Sequence, residues 1–144
     1  MAVLNILTLG DPRLRQKAKE IPRIVKRHRL LAREMLETMY DAQNGVGLAA
    51  PQVGILERMV VIDIGKGPLV LINPVVIAKE GKRKEVESCL SIPERCEYVT
   101  RPDKVTVAFL NINGKPMTIH GTGAMARVLQ HEIDHLDGIL FIDY

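Results

Sequence analysis

Along the 144-residue chain the spacing of apolar positions changes from helical to strand-like and back again. From about Ile24 to Gln43, Leu31, Met35 and Met39 repeat at four-residue steps, with Leu36 and Tyr40 widening the stripe. That stripe predicts an amphipathic helix with one face in the core. The pattern breaks at Asn44-Gly45, and "GVGLAAPQVG" follows, where glycines and small side chains let backbone approach a neighbour closely. Two runs rich in β-branched residues, "RMVVIDI" and "LVLINPVVIA", separated by Gly65 and Gly67, read as strands. A further pair, "KVTVAFLN" and "KPMTIHG", flanks Asn113-Gly114, the signal of a tight hairpin turn. Helical spacing returns near Thr122, runs through Arg127 and Leu129 to about Leu136, and stops at Gly138 as a cap. Strands set between two helices predict an α+β fold, and the length suits a single domain over residues 1–144.

Composition narrows the functional classes. No apolar run approaches the ~20 residues of a membrane span, and the N-terminus lacks the basic-then-apolar layout of a secretory signal. A soluble, cytoplasmic protein is expected, with no membrane partner. The formal charge of +3 is spread among interleaved acids, and its densest run, "KRHR" at Lys26 to Arg29, is short. With aromatics at 3% and no tryptophan, the stacking platform of a nucleic-acid binder is missing, and direct nucleic-acid binding is not expected. Cys89 and Cys96 are the only cysteines, and their spacing fits no zinc-ribbon pattern. Two thiols in such a chain are expected to be reduced, and a free cysteine is ordinarily a small buried hydrophobe.

The stretch "LQHEIDHLDG" carries the chemistry. Residues four apart share one face of a helix, so His131 and His135 can present both imidazoles to one ion. Glu132 is rotated by about 100° from His131, where it can reach a water on that ion without becoming a ligand. A catalytic site needs a third protein ligand as well, and Cys89, Cys96, His120 and the carboxylates are all candidates. A thiolate is the strongest donor among them, because a metal holds it deprotonated. Spacing does not separate Cys89 from Cys96.

Three stretches, "GVGLAAPQ" at Gly45 to Gln52, "ESCLS" at Glu87 to Ser91 and "QHEIDH" at Gln130 to His135, resemble the signature motifs of peptide deformylases, in the same order. The likeness extends to "GDPRLR", "ETMYDAQ" and "HLDGILFIDY", and so spans essentially the whole chain. It implies small mixed or antiparallel sheets packed around a C-terminal metal-binding helix, with a long N-terminal helix. It implies Cys89, His131 and His135 as metal ligands and Glu132 as general acid/base. Gln52 and the Leu90 backbone N–H would stabilise the oxyanion. Gly45, Val46 and Gly47 would pair with an extended peptide, and Val46 and Val128 would line a methionine pocket. The implied reaction is hydrolysis of the N-terminal formyl group of formyl-methionyl nascent peptides by a metal-activated water, releasing formate. Ferrous iron is the expected metal, with zinc, nickel or cobalt able to substitute. A bacterial, monomeric enzyme of protein biosynthesis and N-terminal methionine processing follows, with transient proximity to the ribosome.

The chain also departs from the family pattern. Ser88 stands where glycine is usual, and Cys96 stands where many relatives carry an arginine, with Arg95 one place earlier. Cys96 is expected to be a structural thiol rather than a ligand. Some relatives continue beyond "FIDY" into a tail that aids ribosome docking; docking of that kind is not expected for a sequence ending at Tyr144. His120 reads as a surface or turn histidine and His28 as solvated, while Asp134 and Asp137 are placed either behind the metal helix or at its exposed side. Two other functions share these residues: a metallopeptidase acting on internal peptide bonds, and a peptide-binding member without turnover. The small size and the two upstream motifs weigh against the first. Retention of Cys89, Gln52, Glu132 and both histidines weighs against the second.

Overall fold

The computed structural model describes residues 3–43 and 45–144, so Asn44 at the expected helix break lies outside the described residues. Helix α1 (Lys26–Asp41) buries His28, Leu31, Ala32, Met35, Thr38 and Met39. Leu36 is half buried and Tyr40 exposed, its hydroxyl donating to Asp63 at 2.6 Å. The stripe therefore widens toward Ala32 and Thr38 rather than toward Tyr40. Thr38 tolerates burial because its hydroxyl donates to Glu34 O at 2.7 Å and accepts the Leu4 N–H at 2.8 Å.

His28 corrects its expectation: it is buried, at 3% exposure. Its Nδ1 accepts the Val25 N–H at 3.0 Å, doing for the first helical turn what a capping-box glutamate does. Nε2 then carries the proton and faces Glu57 at 3.2 Å.

Five strands form an antiparallel sheet in the order β1-β2-β3-β6-β7: β1 (Gly47–Ala49), β2 (Met59–Ile62), β3 (Leu69–Glu80), β6 (Lys104–Leu110) and β7 (Pro116–Thr122). Strand β2 is apolar at every position because it is covered on both faces. Val60 and Ile62 pack with Ala126, Leu129, Ile133 and Leu136 of helix α2 (Ala124–Leu136). Met59 and Val61 pack with Leu31, Met35 and Met39 of α1. Alternation at period two thus places the helices on opposite sides of one end of the sheet. Strand β3 tolerates Pro74 at a bulge between Ile72 and Val75, where Asn73 takes a φ of 52°. The Asn73 side chain is held there by the backbone N–H and C=O of Ile21, both at 2.8 Å.

The β6–β7 hairpin turns one residue earlier than expected. Gly114 N–H bonds Asn111 O at 2.9 Å, so the turn runs from Asn111 to Gly114, with Gly114 at a φ of 80°. Asn111 Oδ1 accepts the Asn113 and Lys115 N–H groups, which selects this longer loop over a two-residue one.

A separate hairpin, β4 (Arg83–Cys89) and β5 (Ile92–Arg101), has no counterpart among the strands expected from apolar alternation. Most of its side chains are exposed and nearly half are charged, so apolar alternation does not mark it. Its inner face meets Leu140 and Phe141 in a small cluster with Cys89, Ile92 and Val99. Helix α2 starts at Ala124, two residues later than expected, and ends at Leu136. Past its end Gly138 takes a φ of 73°, and a Cβ there would lie 2.5 Å from Arg15 O. No helix among the described residues is long and apolar enough to cross a membrane.

Candidate active site

The end of β4 meets the middle of α2, and the ligand atoms of Cys89, His131 and His135 all lie within 4.8 Å of one another. Cys89 closes β4, opposite Ile92 across the Leu90–Ser91 turn. Its Sγ is 3.3 Å from His135 Nε2. His131 turns its Nδ1 to Glu87 at 2.9 Å, which leaves Nε2 for the shared point. Burial lowers the pKa of His135 well below its ordinary value and keeps it neutral, the form that ligates. Soft sulfur and two imidazoles form a donor set suited to a divalent transition metal.

Glu132 stands beside this cluster, 4% exposed, with Oε1 lacking a hydrogen-bond partner. Burial pushes its pKa up to about 7. A carboxyl poised there exchanges protons near neutral pH. Gly47 faces it closely: a Cβ at that position would lie 2.6 Å from Glu132 Oε2.

Gln52 belongs to the short 3₁₀ turn Ala50–Val53 that follows β1. Its Oε1 accepts the Ala49 N–H at 2.9 Å, which fixes the amide orientation. Nε2 is thereby aimed at the site, donating to Ser91 Oγ at 3.1 Å and lying 3.5 Å from Cys89 Sγ. The N-terminal segment ties the two loops together, with Leu7 N–H donating to Gln52 O and Leu9 N–H to Ser91 O.

A cleft of about 510 Å³ opens over the cluster, lined among others by Val46, Gly47, Gln52, Leu90, Val128 and Glu132. Its β1 wall is a sheet edge, paired only with β2 among the described strands. Gly45 lies outside the lining; a Cβ there would meet Met39 O at 2.3 Å, so close approach to the end of α1 accounts for this glycine.

The remaining candidates stand apart from the cluster. Cys96 is exposed on β5 opposite Ser88, so the expected structural thiol is not buried. Arg95 is exposed and pairs with Glu97 at 3.2 Å. His120 is exposed on β7, with Nδ1 3.0 Å from Thr106 Oγ1. Ser88 is exposed and lines the cleft. Asp134 accepts from Arg101 at 2.8 Å and Tyr144 at 2.6 Å, whereas Asp137 pairs with Arg58 on the flank of α2.

Reading by motif passed over the support behind the ligands. Glu87 is bound by Arg101 through Nε at 2.5 Å and Nη2 at 2.9 Å, by Arg127, and by His131. Although burial works against ionisation, the bonds from His131 and Arg101 hold its pKa down at about 2. The signal was present in "ESCLS": residues two apart on a strand share a face, so Glu87 had to accompany Cys89 inward.

Known proteins resemble this chain along nearly its whole length. The family profile described as Polypeptide deformylase matches residues 3–144. A peptide deformylase of Desulfitobacterium hafniense is 54% identical over 143 residues, covering 99% of this chain and 95% of its own. The crystal structure of a peptide deformylase from Thermotoga maritima superposes with a TM-score of 0.96 at 40% identity, over 99% of this chain and 97% of that one. That of a Synechococcus elongatus peptide deformylase in complex with actinonin gives 0.94 at 47% identity, over 97% of this chain and 77% of that one. Likeness that runs through nearly every residue of both partners goes beyond a shared fold, and the chain belongs to the peptide deformylase family of hydrolases.

Proposed function

We propose that the protein removes the formyl group from formyl-methionyl nascent peptides and releases formate, within one catalytic domain spanning residues 1–144. The observation that carries this reading is the convergence of Cys89, His131 and His135 on one point with Glu132 enclosed beside it. Those donors fit a divalent ion, which we assign as ferrous iron on the family resemblance, with zinc, nickel or cobalt as substitutes. When bound, the ion supplies Lewis acidity that polarises the formyl carbonyl and makes water a competent nucleophile near neutral pH.

The chain's own groups do the remaining work. Glu132 takes a proton from the attacking water and returns it to the departing amine nitrogen, a role its pKa of about 7 suits. Nε2 of Gln52, held by the Ala49 N–H bond at its other end, donates to the formyl oxygen as negative charge develops there. The Leu90 N–H is the second donor. The free edge at Val46 and Gly47 pairs with extended peptide backbone, as strand addition to a sheet does, whereas Gly45 sits back against the end of α1. Val46 and Val128 flank the methionine side chain. We assign the enzyme to a bacterial cytoplasm, as a monomer meeting nascent chains near the ribosome, in keeping with its bacterial relatives.

The test is formate release from formyl-Met-Ala-Ser by anaerobically prepared, iron-loaded protein. Glu132→Ala should abolish it, and Gln52→Ala should lower it by about 10²–10³-fold. Cleavage of unformylated peptides, or tight metal binding with no formate, would overturn the proposal.

A further inference from the structure

We infer that the stem of Arg127 is the partition that sets how long a first-residue side chain the cleft accepts. Arg127 lines the metal cleft beside Val86 and Val128, and it equally lines a second cavity of about 340 Å³. That cavity lies at the start of α2, between Pro102, Asp103 and Ala124 on one side and Arg83 and Glu85 on the other. One side chain therefore borders both spaces.

The partition is held in place at its far end. Nη1 donates to the Glu87 carboxylate and to Val99 O at 3.0 Å, and Nη2 donates to Arg83 O at 2.8 Å. Swinging the head aside breaks three hydrogen bonds at once, two of them to backbone carbonyls that would lose a partner. Three of the five guanidinium N–H groups are engaged by the protein, and the side chain is 14% exposed. The stem that joins this anchored head to α2 is a run of methylenes, and it is the stem that we place against the cleft, next to two valines. Methionine ends against such a wall, whereas a longer unbranched chain needs the volume that Arg127 occupies. Shortening Arg127 joins the two cavities into one continuous slot.

This inference rests on the deformylase reading above, and the experiment keeps the two apart. Iron-loaded protein is given formyl peptides whose first residue is norleucine, 2-aminooctanoate or 2-aminodecanoate, and kcat/KM is measured for each. In the unaltered protein the longer chains should be about tenfold poorer than norleucine. Each newly buried methylene is worth about fourfold, so Arg127→Ala should raise the ratio of 2-aminooctanoate to norleucine by about tenfold or more. Arg127→Lys, which keeps an unbranched stem and a cation for Glu87, should retain the original ratio. A uniform loss on all substrates would mark Arg127 as structural only and sink the inference. So would a flat length profile in the unaltered protein, or relaxation in Arg127→Lys equal to that in Arg127→Ala. Should Arg127→Ala fail to fold, Arg127→Val gives the same comparison, and the length profile of the unaltered protein stands without any variant. Absence of formate from formyl-Met-Ala-Ser would instead overturn the deformylase reading.

Discussion

Glu87 is the residue on which the proposed metal ligands depend without its being one of them. Glu87→Gln keeps an acceptor for His131 Nδ1 but removes the charge that Arg101 and Arg127 face. Breaking such a buried pairing should cost about 3–5 kcal/mol, read by urea unfolding of metal-free protein. Metal affinity should fall by about 10–100-fold, because the ring of His131 is less firmly oriented. Stability and affinity both equal to the unaltered protein would remove Glu87 from this role. The two thiols offer a sharper contrast, since Cys89 is beside His135 and Cys96 is exposed on β5. Cobalt-loaded protein should show a thiolate-to-metal charge-transfer band that is lost in Cys89→Ala and kept in Cys96→Ala. The opposite pattern would mean that the wrong sulfur has been assigned. "ESCLS" made Cys89 legible through its resemblance, but Glu87 needed the further step of reading strand parity.

At the scale of elements, the site depends on how closely β1 approaches α2. Gly47 is the contact, with no room for a Cβ beside the Glu132 carboxyl. Gly47→Ala should displace Glu132 by a fraction of its length and lower kcat/KM by about 10²-fold, while the urea midpoint moves little. Full activity in that variant would show that Glu132 has freedom the packing does not suggest. Among the elements, α1, α2, β2, β3 and β6 follow the apolar spacing, because each buries part of one face, whereas β1 lies in the glycine-rich stretch and β7 follows the hairpin signal with most of its residues exposed. The β4–β5 hairpin does not, because only Glu87, Cys89, Ile92, Val99 and Arg101 of its two strands turn inward. Three of those five are not ordinary apolar core residues, so periodicity could not mark the strand that carries Cys89. The offset turn at Asn111 to Gly114 has a similar origin: one side-chain oxygen accepting two N–H groups overrides a dipeptide preference.

Across the whole molecule a chain of hydrogen bonds runs from the candidate metal centre to the last residue: His131 to Glu87, Glu87 to Arg101, Arg101 to Asp134, and Asp134 to Tyr144. Partial desolvation and the bond to Asp134 raise the Tyr144 pKa from 10.0 to about 12, although the residue is 62% exposed. A raised pKa means that the folded protein holds this proton more tightly than the unfolded chain. The resulting stability is fully present below pH 10 and is lost as pH climbs from 10.0 to about 12. Tyr144→Phe should therefore narrow its stability deficit relative to the unaltered protein across that interval, and the latest step in the tyrosinate absorbance titration should disappear. A deficit that stays constant with pH would dissociate the phenol from the network. The sequence by itself determined the α+β class, both helices, the sheet strands with apolar faces, and the family with its motif residues. The elements follow from local periodicity, and the family follows from the resemblance of three motifs in order. Tertiary structure alone decided the burial of His28, the exposure of Cys96, the Arg127 partition and the Glu87 network. Each depends on side chains distant in sequence competing for the same space or the same charge, and no local pattern records which of them meet.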